Sequence, residues 1–425
     1  MSGMGRGSCL SHFSFGRDMN LIVLSMVIAN IGTQVEQRFF PLYIRELGGS
    51  PTDIGLVASI GGLFMVLLAP IGGWATDRYR RITLYALAPC IGAIGVLMMA
   101  LAPSWAWLIP GCLIGMFPGL LVGPALFGLV SDIGPEETRG SRFAYQAAGF
   151  GVCAALGPLV GGVVYKYFGY RAFLVGQAVM LCLAGFIRSR IRDPRDDARR
   201  ETGYSAPAFF AGLKGALRQM LSSRQFTLFL IVAILIGIGM AATMNLFSVF
   251  MREVAGVDEA RMGVVYSIAG VAGIAASIAG GVAADRMGRK PVVSLAIFGM
   301  AAGLLWFTGA RTMASLGAVW LFQGFAGSLA GPAVEAYLAD MTDKDSRGTV
   351  RSVFNSLQNL VLMPAPLLGG FLYDRVAPAA PFWFGATVLI LTLLIVVLWL
   401  KEPRRAKTVP VASAAPVGGG VGGAP

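Results

Sequence analysis

The chain has 425 residues, of which 56% are hydrophobic and only 13% charged, with a formal net charge of +12 and a mean hydropathy of +0.70. Water-soluble domains carry about 25% charged residues, so a soluble globular protein is excluded. The positive charge does not signal nucleic acid, because it sits in tails and loops between apolar runs.

Residues 1–18 form a polar tail holding the single histidine, His12. The apolar run that follows is too long and polar-studded for a signal core, so no cleaved signal peptide is expected. A membrane crossing takes roughly 20 apolar residues. Backbone groups left unpaired in lipid are too costly, so each such run must be a helix. Twelve runs qualify. Spans 1–6 fall at about 19–43, 53–75, 83–102, 105–130, 142–165 and 170–188; spans 7–12 at about 225–249, 260–283, 291–309, 313–338, 350–372 and 379–400. The first six form an expected lobe over 19–188, the second six a lobe over 225–402. Between them lies a polar linker, 189–224. Phe209, Phe210, Leu213, Leu217, Met220 and Leu221 in that linker predict a short amphipathic helix on the membrane surface. Residues 403–425 read as a disordered tail rich in Val, Ala, Pro and Gly.

All but eight of the 34 Lys and Arg fall on one side if the N-terminus is cytoplasmic. The eight are Arg38, Arg45, Lys166, Arg171, Arg252, Arg261, Arg311 and Arg375. By the positive-inside rule both termini are expected in the cytoplasm of a multi-pass plasma-membrane protein.

Several chemistries are excluded. The five cysteines, Cys9, Cys90, Cys112, Cys153 and Cys182, are odd in number and unclustered, so neither a disulfide framework nor a metal site is expected. No phosphate-binding Gly-x-x-x-x-Gly-Lys loop is present, and direct ATP use is not expected. Gly149-Phe-Gly151 lies inside an apolar helix and is no dinucleotide fingerprint. Asp343-Lys-Asp345 reads as a solvated turn. The expectation is a protein with no cofactor and no enzymatic activity.

An offset of 208 residues superimposes the two halves. It carries Gly55 to Gly263, Gly123-Pro124 to Gly331-Pro332, Asp132 to Asp340, Arg139 to Arg347, Pro158 to Pro366, Gly161-Gly162 to Gly369-Gly370 and Tyr165 to Tyr373. A duplicated membrane unit of this kind places a substrate site between two lobes that can rock. The glycines of span 4, Gly111, Gly115, Gly119 and Gly123, recur every four residues and predict a smooth face for a neighbouring helix.

Short charged motifs close spans 2 and 8: Gly73-x-x-x-Asp77-Arg78-x-Arg80-Arg81 and Gly281-x-x-x-Asp285-Arg286-x-Gly288-Arg289-Lys290. Spans 4 and 10 close on an acid followed seven residues later by arginine, Asp132/Arg139 and Asp340/Arg347. Span 5 carries Gly157-Pro158-x-x-Gly161-Gly162. Together these resemble the major facilitator superfamily of transporters over residues 19–402. Arg80 stands where that family's loop motif has Gly, and the span 5 motif is similar to one of its antiporters. The resemblance implies an all-α integral membrane fold of twelve transmembrane helices in two six-helix pseudo-repeated lobes. It also implies a latch that closes the cytoplasmic side, formed by the charged residues of these motifs. The alternative is that they only anchor loops and set topology.

Polar side chains within spans are the candidate ligands of substrate or protons, because each is costly in lipid. Asn30, Thr33, Gln34 and Gln37 make one stripe on span 1, flanked on opposite sides by Glu36 and Arg38. Asn245 on span 7, Gln323 and Glu335 on span 10, and Asn355 and Asn359 on span 11 complete the set. Helix-to-helix hydrogen bonding is the competing reading for the amides. A carboxylate withdrawn from water holds its proton more readily, which makes Glu36 and Glu335 candidate proton carriers. Glu36 could instead be solvated near the outer interface, and Glu335 could belong to the charge network around Asp340. Residues 104–138 contain no Arg or Lys, unlike span 4 of many proton-coupled drug antiporters. The expected activity is secondary transport of a small organic solute by alternating access. Proton-coupled efflux of amphipathic molecules by a monomer is preferred to import of a sugar or carboxylate, to uniport, and to a non-transporting sensor.

Overall fold

The computed structural model describes residues 16–192, 215, 217–342 and 347–402. Among them every regular element is helical. Spans 1–4 are the helices Arg17–Glu46, Pro51–Arg78, Arg81–Ala100 and Leu108–Asp132. Spans 5 and 6 form one helical stretch, Arg139–Arg188, broken at Gly169, whose φ of 79° is open to glycine and strained for other residues. Span 7 is split into Arg224–Met244 and Phe247–Glu253, and span 11 into Arg347–Leu362 and Ala365–Arg375. Spans 8, 9, 10 and 12 are Glu259–Met287, Arg289–Gly309, Met313–Asp340 and Ala380–Trp399. Ten helical stretches among the described residues are long and apolar enough to cross a bilayer. One of them, the 53-residue stretch ending at Arg188, would be about 80 Å long as a straight helix at 1.5 Å per residue, and with its break at Gly169 it crosses twice. The broken span 11 supplies the twelfth crossing. The unbroken helices expected for spans 7 and 11 are thus corrected. Pro364 lies in the break in span 11; nothing of that kind marks the break at Asn245.

Local sequence explains where the helices start. Ser50 accepts from the Asp53 N–H while Asp53 accepts from the Ser50 N–H, with Pro51 in the first turn. One repeat later Asp258 caps span 8 through the Arg261 N–H at 3.0 Å. Such caps satisfy amide groups that the helix itself leaves unpaired. Of the linker, residues 217–222 are helical, with Met220 buried in the core and Leu221 exposed; Phe209, Phe210 and Leu213 lie outside the described residues.

Within the first lobe, span 1 packs on the span 5–6 stretch, span 3 on spans 4 and 6, and span 2 on span 4; the second lobe repeats the pattern. A methyl group at Gly95 would collide with Gly111 and Gly115, so the glycine face of span 4 meets span 3 as expected. Gly119 faces Met65 of span 2, and Gly123 is open.

The lobes meet along span 2 against span 11 and span 5 against span 8. These contacts obey the repeat. A Cβ on Gly55 would strike the Pro366 carbonyl, and one on Gly263 the Pro158 carbonyl. A Cβ on Gly370 would strike the Pro51 carbonyl, and one on Gly162 the Glu259 carbonyl. All four sit in the halves of the helices remote from the chain termini. Toward the termini, Leu67 and Ile71 of span 2 and Ile278 and Val282 of span 8 are exposed. The lobes are therefore sealed at one end and splayed at the other.

Candidate functional site

The sealed end is closed in layers. Nearest the middle, the fully buried Phe39 ring of span 1 packs edge-on against Tyr165 of span 5 at 5.9 Å and Tyr266 of span 8 at 6.0 Å. Beyond it lie two reciprocal ion pairs. Arg45 Nε donates to Glu253 Oε1 at 2.7 Å, and Arg252 Nη1 to Glu46 Oε1 at 3.0 Å. Each acid also accepts from a tyrosine of its own lobe: Tyr165 Oη to Glu46 at 2.8 Å, Tyr373 Oη to Glu253 at 3.1 Å. Tyr165 and Tyr373 are repeat partners, and Arg45 and Glu253 are themselves 208 residues apart. Outside this ring Lys166 pairs with Asp258 at 3.3 Å. Partial desolvation pushes the Asp258 carboxyl up, but the Arg261 N–H and the Lys166 ammonium outweigh it and hold it below the ordinary carboxylate value. Asp374 accepts from the Thr52 N–H at 2.8 Å, tying span 11 to the start of span 2. An open depression of about 320 Å³ lined by Leu42, Arg45, Glu46, Gly48, Gly49, Arg252 and Glu253 lies over the ring.

At the splayed end two pairs of the expected latch residues lie each within its own lobe. Arg81 Nη1 meets Asp132 Oδ2 at 3.0 Å, and its repeat partner Arg289 Nε meets Asp340 Oδ2 at 3.2 Å. Among the described residues no ion pair joins the two lobes here. Arg78 is exposed, with its guanidinium 5.9 Å from the Trp74 ring centroid. Arg139 and Arg286 are exposed. The surroundings of Gly73 and the side chains of Asp77, Asp285 and Arg347 lie outside the described residues. Gly281 has open space around its Cα. Lys290 donates its Nζ to the Val397 carbonyl at 2.9 Å, and Glu402 caps the start of span 9 by accepting from the Lys290 N–H at 2.8 Å.

Gly288 joins spans 8 and 9 at φ 101° and ψ 167°, a region essentially restricted to glycine. Arg80, its repeat partner, sits at φ −58°. This accounts for the arginine in the first copy of the motif. Gly288→Ala is expected to cost roughly 1–3 kcal/mol, and Arg80→Ala little, when thermal unfolding of the two purified variants is compared.

The interior candidates divide. Thr33 and Gln37 are exposed, Asn30 and Gln34 half-buried. Asn30 donates to its own helix at Met26 O, 2.9 Å, and Gln34 packs on Gly157 of span 5. Glu36 turns into its own lobe, where its Oε2 accepts from Gln177 Nε2 of span 6 at 2.8 Å. Arg38 turns the other way, its guanidinium carbon 4.9 Å from the Tyr266 ring centroid across the lobe boundary. Asn245 is half-buried at the break in span 7. Gln323 is buried against Gly303 of span 9. Glu335 is exposed and pairs with Arg351 at 2.9 Å near the splayed end. Asn355 and Asn359 are exposed, whereas Gln358 between them donates to Ala233 O of span 7 at 2.9 Å. The span 5 motif serves both neighbours: Gly157 and Gly161 admit span 1, while Pro158 and Gly162 meet span 8.

Sequence reasoning missed the charged ring. Its four residues end helices, where charge normally means solvation. The available signal was the pairing of Tyr165 with Tyr373 by the repeat. It also missed Arg188, 2% exposed in span 6, which stacks 3.9 Å over the Tyr85 ring and donates to the Tyr85 carbonyl at 3.1 Å.

Comparisons agree with this architecture. Multidrug resistance protein 1 of Bacillus subtilis (strain 168) is 21% identical over 397 residues, covering 92% of this chain and 97% of the relative. Multidrug resistance protein MdtG of Escherichia fergusonii is 25% identical over 399 residues, covering 91% and 95%. The crystal structure of a bacterial homolog of the human lysosomal transporter Spinster, inward-facing and unoccupied, superimposes with a TM-score of 0.69 at 17% identity, over 89% of this chain and 94% of that one. The Major Facilitator Superfamily model matches residues 22–282 and 229–418. With twelve crossings, two repeated lobes and a match along nearly its whole length, this multi-pass membrane chain belongs to the Major Facilitator Superfamily.

Proposed function

We propose that the chain exports small amphipathic organic molecules by alternating access, and that the present form faces the cytoplasm. The observation that carries this reading is the asymmetry of the lobe contacts: reciprocal ion pairs and backbone-close glycines at one end, exposed polar positions on spans 1 and 11 leading to the other. The positive-inside charge distribution supports cytoplasmic termini, and with them a cytoplasmic open end, for a plasma-membrane protein acting as a monomer. The drug-resistance relatives support outward transport of drug-like solutes.

Opening the other way requires the ring around Arg45 and Arg252 to part. Pairs such as Asp77 and Asp285 with facing helix ends then close the cytoplasmic side. Protons couple through Glu36, the acid lodged deepest in a span among the described residues, with Gln177 accompanying it in either protonation state. Glu36→Gln is expected to reduce gradient-driven export to background while leaving substrate exchange across proteoliposomes intact. Retention of a fluorescent amphipathic dye in exporter-deficient cells tests the function itself. Expression should lower dye retention. Counterflow of radiolabelled sugars with no change in dye retention overturns export in favour of import.

A further inference from the structure

We infer that the closed end of the inter-lobe space is an anion site, in which Arg38 takes the carboxylate or sulfonate of a planar aromatic monoanion. The inference rests on the transport reading and names its substrate class.

Arg38 lies seven residues before Arg45 on span 1, about 10 Å below the charged ring. Its guanidinium stays charged at any physiological pH. One face is covered by the Tyr266 ring at 4.9 Å, which compensates part of the charge. Its Nε is buried and has no hydrogen-bond partner, and no ion pair among the described residues engages it. Nearby acids face elsewhere: Glu36 turns into its own lobe toward Gln177, Glu46 pairs with Arg252 and Tyr165, Glu253 with Arg45 and Tyr373. A second buried donor without a partner, Trp320 Nε1 of span 10, belongs to a ring packed 4.8 Å from Tyr266.

A buried donor with no acceptor is costly, and here the cost falls on a guanidinium whose planar fork suits a carboxylate bidentately. The Tyr266 ring over it packs in turn on Phe39, and Phe39 on Tyr165, so its surroundings are aromatic. A flat apolar body ending in one negative group matches both features. The carboxylate nearest in depth, Glu36, turns into its own lobe toward Gln177, away from the face that Arg38 presents to Tyr266.

The test is binding of three probes of one shape, naphthoate, naphthamide and naphthylmethylammonium, to the purified full chain, followed by tryptophan quenching. Naphthoate should bind about tenfold or more tighter than naphthamide, the scale of one charge-assisted hydrogen bond. Arg38→Gln should erase that difference while leaving naphthamide within about twofold, and Arg38→Lys should restore part of it. Equal binding of acid and amide by the wild-type chain overturns the site, as does failure of all three to bind. An acid preference that survives Arg38→Gln also overturns it, and reduces Arg38 to a clamp on Tyr266. Should Arg38→Gln fail to fold, the wild-type acid-to-amide ratio and Arg38→Lys decide. Proteoliposome uptake separates the two readings. Naphthoate bound through Arg38 but never moved removes the transporter and keeps the site. Export of the amide or the ammonium probe without anion preference does the reverse.

Discussion

Arg252→Glu is expected to unlock the sealed end and shift the chain toward the conformation open on that side. The substitution removes the pair with Glu46 and the contact to Glu259 at 3.4 Å, and adds a like charge beside both. The paired side chains here are about one third exposed, 38% for Arg252 and 36% for Glu46, so solvent screens them and each pair is worth about 0.5–1 kcal/mol. Loss of one pair with repulsion in its place changes the balance of open and closed forms by roughly tenfold, about 1.4 kcal/mol. Cysteine pairs placed across the sealed end on spans 2 and 11 would report this as slower cross-linking. Glu46→Arg added to Arg252→Glu restores an opposite-charge pair and should recover most of the cross-linking rate. An unchanged rate in Arg252→Glu would mean that the ring is decoration on a contact held by backbone packing alone.

Gly162→Leu and Gly370→Leu should have larger effects. At these positions span 5 meets the Glu259 carbonyl and span 11 the Pro51 carbonyl with no room for a Cβ. Backbone cannot yield as a flexible side chain does, so the lobes must part. Overpacking typically costs 1–3 kcal/mol, and here the cost falls on one conformation only. Each variant should lose transport by roughly tenfold or more while keeping most of its thermal stability. The control is Gly123→Leu on span 4, where nothing lies within 4 Å; its transport should be near normal. Equal losses at Gly123 and Gly162 would show that glycine content, not lobe contact, matters.

Much of the fold was legible because hydropathy and the repeat are global signals. The 208-residue offset linked Asp132 to Asp340, and the structure gives each the same partner, an arginine 51 residues earlier. What stayed hidden was mostly pairwise. Arg45 and Glu253 come from helix ends in different lobes, and no local pattern brings them together. The stripe logic of span 1 correctly separated Glu36 from Arg38, since two residues rotate by about 200°. It could not say which faced the partner lobe, because that depends on where span 8 packs. Gln323 looked like a cavity ligand from its helix, yet Gly303 makes a slot that draws it inside the lobe. The break at Asn245 left no trace because neither proline nor glycine marks it.

The ring at the sealed end has one further property. Arg45 and Arg252 carry two positive charges, Glu46 and Glu253 two negative ones, Lys166 and Asp258 cancel likewise, and Glu259 and Arg261, in contact with Arg252 and Asp258, add one of each sign. Pulling the lobes apart there separates dipoles but carries no net charge through the membrane field. With the charges balanced, membrane voltage has little hold on that step, and ionic strength, which screens the pairs, has more.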